Sequence, residues 1–272
     1  VPGYENLLQE LQPSAAKIIG ITGAPGSGKS TLTDALIEEI IKDKKKVAVL
    51  CVDPSSPFNR GALLGDRIRM SEWYNHPDVF IRSLASKGSL GGLHPKIVEI
   101  SDLVKSAGFD YIIIETVGVG QSEVDIADMA DITIVVMVPE GGDIIQTMKA
   151  GLMEIADIFV INKFDRPEAA AFYNNIKQLL APAFHKAKRE IPVLTTIASQ
   201  KEGVHELYET ISGWESDYND RNKIKLLTDK IISIIHARKM KDINREELQA
   251  SLKKEFNKEG FNIYQFADKY YK

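Results

Sequence analysis

A single cysteine, Cys51, stands in a chain of 272 residues, so no internal disulfide can form. No Cys/His spacing matches a zinc site either. A lone thiol reads as a small apolar residue in a buried strand and fits a reducing, cytoplasmic setting. No apolar run approaches the ~20 residues that cross a bilayer, so no membrane role is expected. Positive charge is not in excess. The 34 Lys and Arg face 38 Asp and Glu, a net −4, which argues against binding nucleic acid by bulk electrostatics. The start, Val1-Pro2-Gly3-Tyr4-Glu5, has neither the basic nor the apolar region of a signal peptide and no initiator Met. It reads as a trimmed chain with something upstream. Internal repeats and low-complexity segments are absent, and the histidines are scattered, so none is assigned to catalysis.

What is present is ordinary for a soluble globule, with 44% hydrophobic and 26% charged residues over a length that fits one large α/β domain plus an appendage. Runs rich in Ile and Val predict strands at 17–22, 47–52, 79–81, 111–116, 132–138, 158–162 and 192–197. They mostly lack strict alternation, as strands buried on both faces of a parallel sheet do. Helical patterns at 29–42, 96–107, 144–155 and 168–188 lie between most of them. The expectation is an α/β fold of the P-loop NTPase type: a mostly parallel central sheet with helices on both faces. Ligands then bind at the carboxyl ends of the strands. From Trp214 onward strands disappear. Residues 1–13 read as an N-terminal segment, 14–213 as the nucleotide domain, and 214–272 as a helical extension with a polar linker at 214–221. Ile224, Leu227, Ile231 and Ile235 follow helical spacing, as do Leu248 and Leu252. The tail has too little apolar surface for its own core, so it packs on the main domain or on a second copy.

Gly23-Ala24-Pro25-Gly26-Ser27-Gly28-Lys29-Ser30-Thr31 follows the first strand and opens a helix. Such a loop, with Gly26, Ser27, Gly28 and Thr31 in it, points backbone N–H groups and a positive helix end at phosphates. Lys29 should reach the β- and γ-phosphates, and Ser30 should ligate Mg²⁺. Three carboxylates can serve the metal or the γ-phosphate: Asp53 ending the second strand, Asp66 in a loop, and Glu115 ending the fourth. Asp53 and Asp66 could equally cap turns. Three exceed what one Mg²⁺ needs, so one can position the attacking water. Gly118 would give its N–H to the γ-phosphate. Ras-like enzymes place a water-orienting Gln directly after that glycine. Here Val119 follows, and Gln121 comes two residues later. Intrinsic hydrolysis is therefore expected to be slow, on the order of 10⁻⁴ to 10⁻² per second.

Asn162-Lys163-Phe164-Asp165 follows the sixth strand. Asp165 can accept from guanine N1–H and the exocyclic amine, hydrogen bonds that adenine cannot offer. Such a site can discriminate by about 10⁴ or more. Lys163 would lie along the base, and the Ala198 N–H would meet guanine O6. GTP or GDP with Mg²⁺ is thus the expected ligand set.

These runs, with Val52-Asp53-Pro54-Ser55-Ser56, Gly61 to Met70, Glu115 to Glu123, Gly142-Asp143 with Gln146, Lys149 and Gly151, and Glu154-Ile155-Ala156-Asp157, closely resemble the ArgK/MeaB family of G3E P-loop GTPases, relatives of the methylmalonic aciduria type A protein. The resemblance covers roughly residues 14–212. It implies that Asp53 and Asp66 lie in a first switch, 115–123 in a second, and Gln146 and Lys149 in a third that senses the partner. It also implies a homodimer and a chaperone role. The chaperone role would be for an adenosylcobalamin-dependent acyl-CoA mutase, chiefly methylmalonyl-CoA mutase, through gating of cofactor loading and protection. The tail resembles the family's dimerisation arm in position and helicity, without a residue-by-residue match. Two other readings compete. A metallochaperone GTPase would need a Cys/His metal site that the composition does not offer. An ATP-dependent small-molecule kinase is opposed by Asp165.

Overall fold

The computed structural model describes residues 8–12, 14–53, 70–85, 96–116, 126–139, 152–184, 191–214, 243–255 and 262–270, with positions 228, 231, 232, 234 and 235. Chain contacts divide it into two compact units, 1–218 and 219–272.

The first unit holds a 7-stranded sheet in the order β3-β2-β4-β1-β5-β6-β7. The strands are β1 (Lys17–Thr22), β2 (Val47–Asp53), β3 (Val79–Ala85), β4 (Tyr111–Glu115), β5 (Ile132–Met137), β6 (Ile158–Ile161) and β7 (Val193–Thr195). Every pairing is parallel. The described helices of this unit are α1 (Lys29–Lys42), α2 (Ile97–Ser106), α3 (Leu152–Ile155), α4 (Ala169–Phe184) and α5 (Val204–Ser212).

Alternation along the strands assigns the layers. Ile19, Ile21, Val47, Val49 and Cys51 join Leu32, Leu36 and Ile40 of α1 and Leu207 and Ile211 of α5 in one core. Ile18, Ala48, Leu50, Ile112 and Ile114 meet Ile97 and Val104 of α2 on the other face. Farther along that face, Val135, Met137, Phe159 and Ile161 meet Leu152 of α3 and Phe172 and Ile176 of α4. Both faces are thus covered, and the central strands are apolar on both, which is why their sequences show runs rather than alternation. Burying each Ile or Leu fully contributes about 1.5–3 kcal/mol.

Two local differences from the sequence expectation have physical causes. β3 runs to Ala85 rather than stopping at Ile81, because it pairs in register along the whole of β2, from Val47↔Val79 to Asp53↔Ala85. Arg82 and Ser83 hide that strand in the sequence, since β3 is a sheet edge where polar residues are tolerated. Trp214, placed by composition at the head of a polar linker, is buried in the core shared by α1 and α5. Its carbonyl accepts from Lys17 Nζ at 2.9 Å, and the carbonyls of Ser212 and Ile211 do so at 3.1 and 3.3 Å. A cation thus satisfies the open carbonyl end of α5, as the helix dipole favours.

The second unit contains α6 (Arg245–Glu255) and α7 (Ile263–Asp268). Leu248 and Leu252 lie in α6, whereas Ile224 and Leu227 lie outside the described residues. Asn262 caps α7, its Oδ1 accepting from the backbone N–H groups of Tyr264 at 2.9 Å and Gln265 at 3.2 Å. Among the described residues, no helix is long and apolar enough to cross a membrane.

Candidate functional site: a phosphate loop joined to a base-reading loop

β1 lies between β4 and β5, and the chain leaves it through α1 to reach β2 on the far side of β4. Such a change of direction opens a crevice at the carboxyl ends of the strands. The loop 23–28 occupies that position. Gly23 has φ +138°, and a Cβ there would sit 2.1 Å from the Val136 carbonyl oxygen. Gly28 has φ +89°, and a Cβ there would sit 2.3 Å from Asn162 Nδ2. Neither position admits a side chain, because the backbone is left-handed and the space is already taken. Gly26 lies between them in the loop, and Thr31 is half-buried in the first turn of α1.

The functional side chains of this loop are buried. Lys29 is 6% exposed and folds over the loop, donating to the carbonyls of Gly23 at 2.8 Å and Ala24 at 3.0 Å. Ser27 is fully buried, and its Oγ has no hydrogen-bond partner among the described residues. A buried hydroxyl left unpaired costs about 1–3 kcal/mol, so its presence in a glycine loop points to an acceptor that belongs there. α1 begins at Gly28 with no side-chain cap and no acidic residue in its first turn, which leaves its N–H groups for an anion.

Ser30 and Glu115, two of the four residues expected at Mg²⁺, come together. Ser30 Oγ donates to Glu115 Oε1 at 2.6 Å, and Glu115 is 5% exposed. Both are hard oxygen groups at the mouth of the phosphate loop, the donor set Mg²⁺ takes when it also binds phosphates. The chemistry therefore fits that cation. Thr33 and Thr116 were not anticipated. Thr33 Oγ1 donates to Glu115 Oε2 at 3.2 Å, and Thr116 Oγ1 donates to Thr22 Oγ1 at 3.0 Å. The available signal for Thr33 was its spacing of three residues from Ser30, which shares a helix face.

Asn162 does more than open the base motif. Its Nδ2 donates to the Ser27 carbonyl at 2.9 Å. Its Oδ1 accepts from Thr196 Oγ1 at 3.1 Å and from the Ala198 N–H at 3.0 Å, so the N–H expected at guanine O6 is engaged within the protein. One buried amide therefore joins the phosphate loop, the start of the base loop and the turn after β7. Lys163 takes a left-handed φ of 57°, which turns the chain at the end of β6, and Asp165 is exposed in the loop that follows. The Phe164 N–H donates to the Thr196 carbonyl at 3.1 Å, a second tie between the two loops.

Outside the crevice, charged groups brace α1. Lys201, just past the Ala198–Gln200 turn, pairs with Glu38. The hydrogen bonds from Lys201 and then Lys42 hold the Glu38 carboxyl below its ordinary range. Glu39 is lowered by Lys42 and, more weakly, by His205. Trp73 Nε1 donates to Asp34 Oδ1 at 2.7 Å, yet burial wins and raises the Asp34 carboxyl above its ordinary value. Burial and the bond to Asp43 at 2.6 Å likewise push the Tyr208 hydroxyl up.

Not every expected residue can be placed. Asp53 ends β2, where only its backbone is described. Asp66, Gly118, Gln146 and Lys149 lie outside the described residues. Among the described residues, no group of three or more His, Cys, Asp or Glu could hold a metal ion.

Comparison with known proteins places the chain in a wider group. The family model described as "Methylmalonyl Co-A mutase-associated GTPase MeaB" matches residues 4–255. A putative GTPase of Pyrococcus abyssi (strain GE5 / Orsay) is 50% identical over 199 residues, 72% of this chain and 61% of that protein. This chain thus spans about three fifths of that relative's length. The fused isobutyryl-CoA mutase of Geobacillus kaustophilus (strain HTA426) is 42% identical over 188 residues, 67% of this chain and 17% of that protein. Among solved structures, the crystal structure of LAO/AO transport system kinase superposes with a TM-score of 0.63 at 27% identity, covering 97% of this chain and 85% of that one.

Proposed function

We propose, from the premise that the chain belongs to the MeaB family of methylmalonyl Co-A mutase-associated GTPases, that it is a slow Mg²⁺-dependent GTP hydrolase. In this reading it acts as a switch and chaperone for an adenosylcobalamin-dependent acyl-CoA mutase, gating cofactor loading and protecting the mutase. The observation that carries the GTP reading is the Asn162 side chain. By holding the Ser27 carbonyl at 2.9 Å it sets the base loop against the phosphate loop, so one nucleotide can engage both. The relative named as a fused isobutyryl-CoA mutase supports the mutase part, because a matching stretch occupies 17% of its chain.

The residues divide the work. Asp165 accepts from guanine N1–H and the exocyclic amine, Lys163 lies along the base, and the turn at Ala198 closes beside it. The loop 26–31 cradles the phosphates. Lys29 exchanges its carbonyl partners for β- and γ-phosphate oxygens. Ser30 and carboxylates drawn from Glu115, Asp53 and Asp66 would hold Mg²⁺, which would supply charge neutralisation for the phosphates. Gly118 donates its N–H to the γ-phosphate, and one of the carboxylates positions the attacking water. With Val119 in place of a water-orienting Gln, turnover stays on the order of 10⁻⁴ to 10⁻² per second until a partner intervenes. Gln146 and Lys149 sense that partner, and residues 214–272 form the arm of a homodimer.

The test is a GTPase assay with and without a purified B12-dependent acyl-CoA mutase. Addition should raise turnover, and Lys149→Ala should remove the rise while leaving GTP affinity in place. If no such mutase accelerates hydrolysis, the switch reading fails.

A further inference from the structure

Glu115 is a carboxylate with 5% exposure, and a buried carboxylate needs a partner for each oxygen. Two residues of α1 divide those oxygens. Ser30 Oγ donates to Oε1 at 2.6 Å, and Thr33 Oγ1 donates to Oε2 at 3.2 Å. The two donors sit one helical turn apart on the same face. Thr33 is fully buried, and its β-branch leaves few rotamers. In a helix a threonine hydroxyl commonly turns back to a carbonyl of the preceding turn. Here it crosses instead to the end of β4, so the contact is a tertiary one that fixes the carboxylate against α1.

The two hydroxyls differ in consequence. Ser30 is the one placed at the phosphate loop, beside Lys29, where a cation would be shared with phosphates. Thr33 lies one turn deeper, on the oxygen away from the loop. A donor on that far oxygen sets the plane of the carboxylate, which leaves Oε1 aimed at the loop. Groups that orient a metal ligand in this way commonly govern affinity by 10- to 100-fold.

We propose that Thr33 is a positioning residue for the Mg²⁺ site, the hydroxyl that holds Glu115 in the orientation the cation requires. This rests on the reading of Ser30 and Glu115 as protein partners of Mg²⁺. Thr33 touches neither nucleotide nor cation, and its effect passes through Glu115.

The measurement is the release rate of a fluorescent GDP analogue as Mg²⁺ is titrated, in wild type, Thr33→Val and Thr33→Ser, with melting of the nucleotide-free proteins alongside. Val keeps the shape and removes the donor; Ser keeps the donor. The Mg²⁺ concentration that half-slows release should rise about 10-fold or more in Thr33→Val and stay close to wild type in Thr33→Ser. Thr33→Ala repeats the test if the Val variant does not fold. An unshifted Mg²⁺ midpoint in Thr33→Val, with only the melting temperature lowered, would overturn the proposal and leave a purely structural hydroxyl. So would an equal shift in Thr33→Ser. A wild-type release rate that ignores Mg²⁺ would instead overturn the metal reading itself, and the proposal with it.

Discussion

Replacing Asn162 by Ala should damage the protein before any nucleotide is added. The side chain makes three buried hydrogen bonds, one donated to the Ser27 carbonyl and two accepted from Thr196 Oγ1 and the Ala198 N–H. At about 0.5–1.5 kcal/mol each, with two backbone groups left unpaired, the loss is about 3 kcal/mol. For a domain of this size that is a fall of ~6–12 °C in melting temperature. Circular dichroism on the nucleotide-free protein reads it directly. Asn162→Asp sharpens the test. It keeps an acceptor for Thr196 and Ala198 but puts an acceptor-only oxygen where Nδ2 stood, 2.9 Å from the Ser27 carbonyl oxygen. It should be at least as unstable as the Ala variant at neutral pH. Thr196→Val, which removes one bond, should cost only about 1 kcal/mol. An Asn162→Ala protein that melts within ~2 °C of wild type would refute the claim that this amide joins the two loops.

Two further outcomes are expected. Lys29→Ala should abolish tight nucleotide binding in a calorimetric titration, since the charge that now meets the Gly23 and Ala24 carbonyls is the one assigned to the phosphates; a normal Kd would overturn the phosphate-site assignment. Asp34 tests the electrostatics. Its carboxyl is raised above 3.8 by burial, with the Trp73 bond only partly opposing. The folded protein therefore holds that proton more tightly than the unfolded chain, and the stability this contributes is present below 3.8 and lost as pH rises through the folded value. Asp34→Asn keeps an oxygen for Trp73 and cannot charge. It should gain stability over wild type as pH rises through that window, and a pH-independent difference in denaturation midpoints would contradict the assignment.

Much of the fold was legible because its information is local. The strands other than β3 are largely apolar runs, and the phosphate loop announces itself through glycines whose positive φ and crowding at Gly23 and Gly28 no other residue meets. Ser30 and Glu115 could both be expected at the metal, with Asp53 and Asp66, because Glu115 ends a strand and Ser30 opens the helix after the first strand, at the carboxyl ends where ligands bind. Contacts across elements were harder to read. Nothing in the residues 162–165 says that Asn162 reaches Ser27, and only its spacing of three from Ser30 hints that Thr33 meets Glu115. β3 was cut short because an edge strand carries Arg82 and Ser83, and Trp214 was assigned to a linker because its neighbours are polar while it is itself buried.

The central claim is that one site selects guanine through Asp165. Competition binding of GDP, ADP and xanthosine diphosphate to wild type and Asp165→Asn tests it most directly. Wild type should prefer GDP over ADP by about 10⁴ or more, and the variant should lose GDP affinity while gaining xanthosine diphosphate. Equal competition by ADP in wild type, or unchanged GDP affinity in the variant, would contradict it.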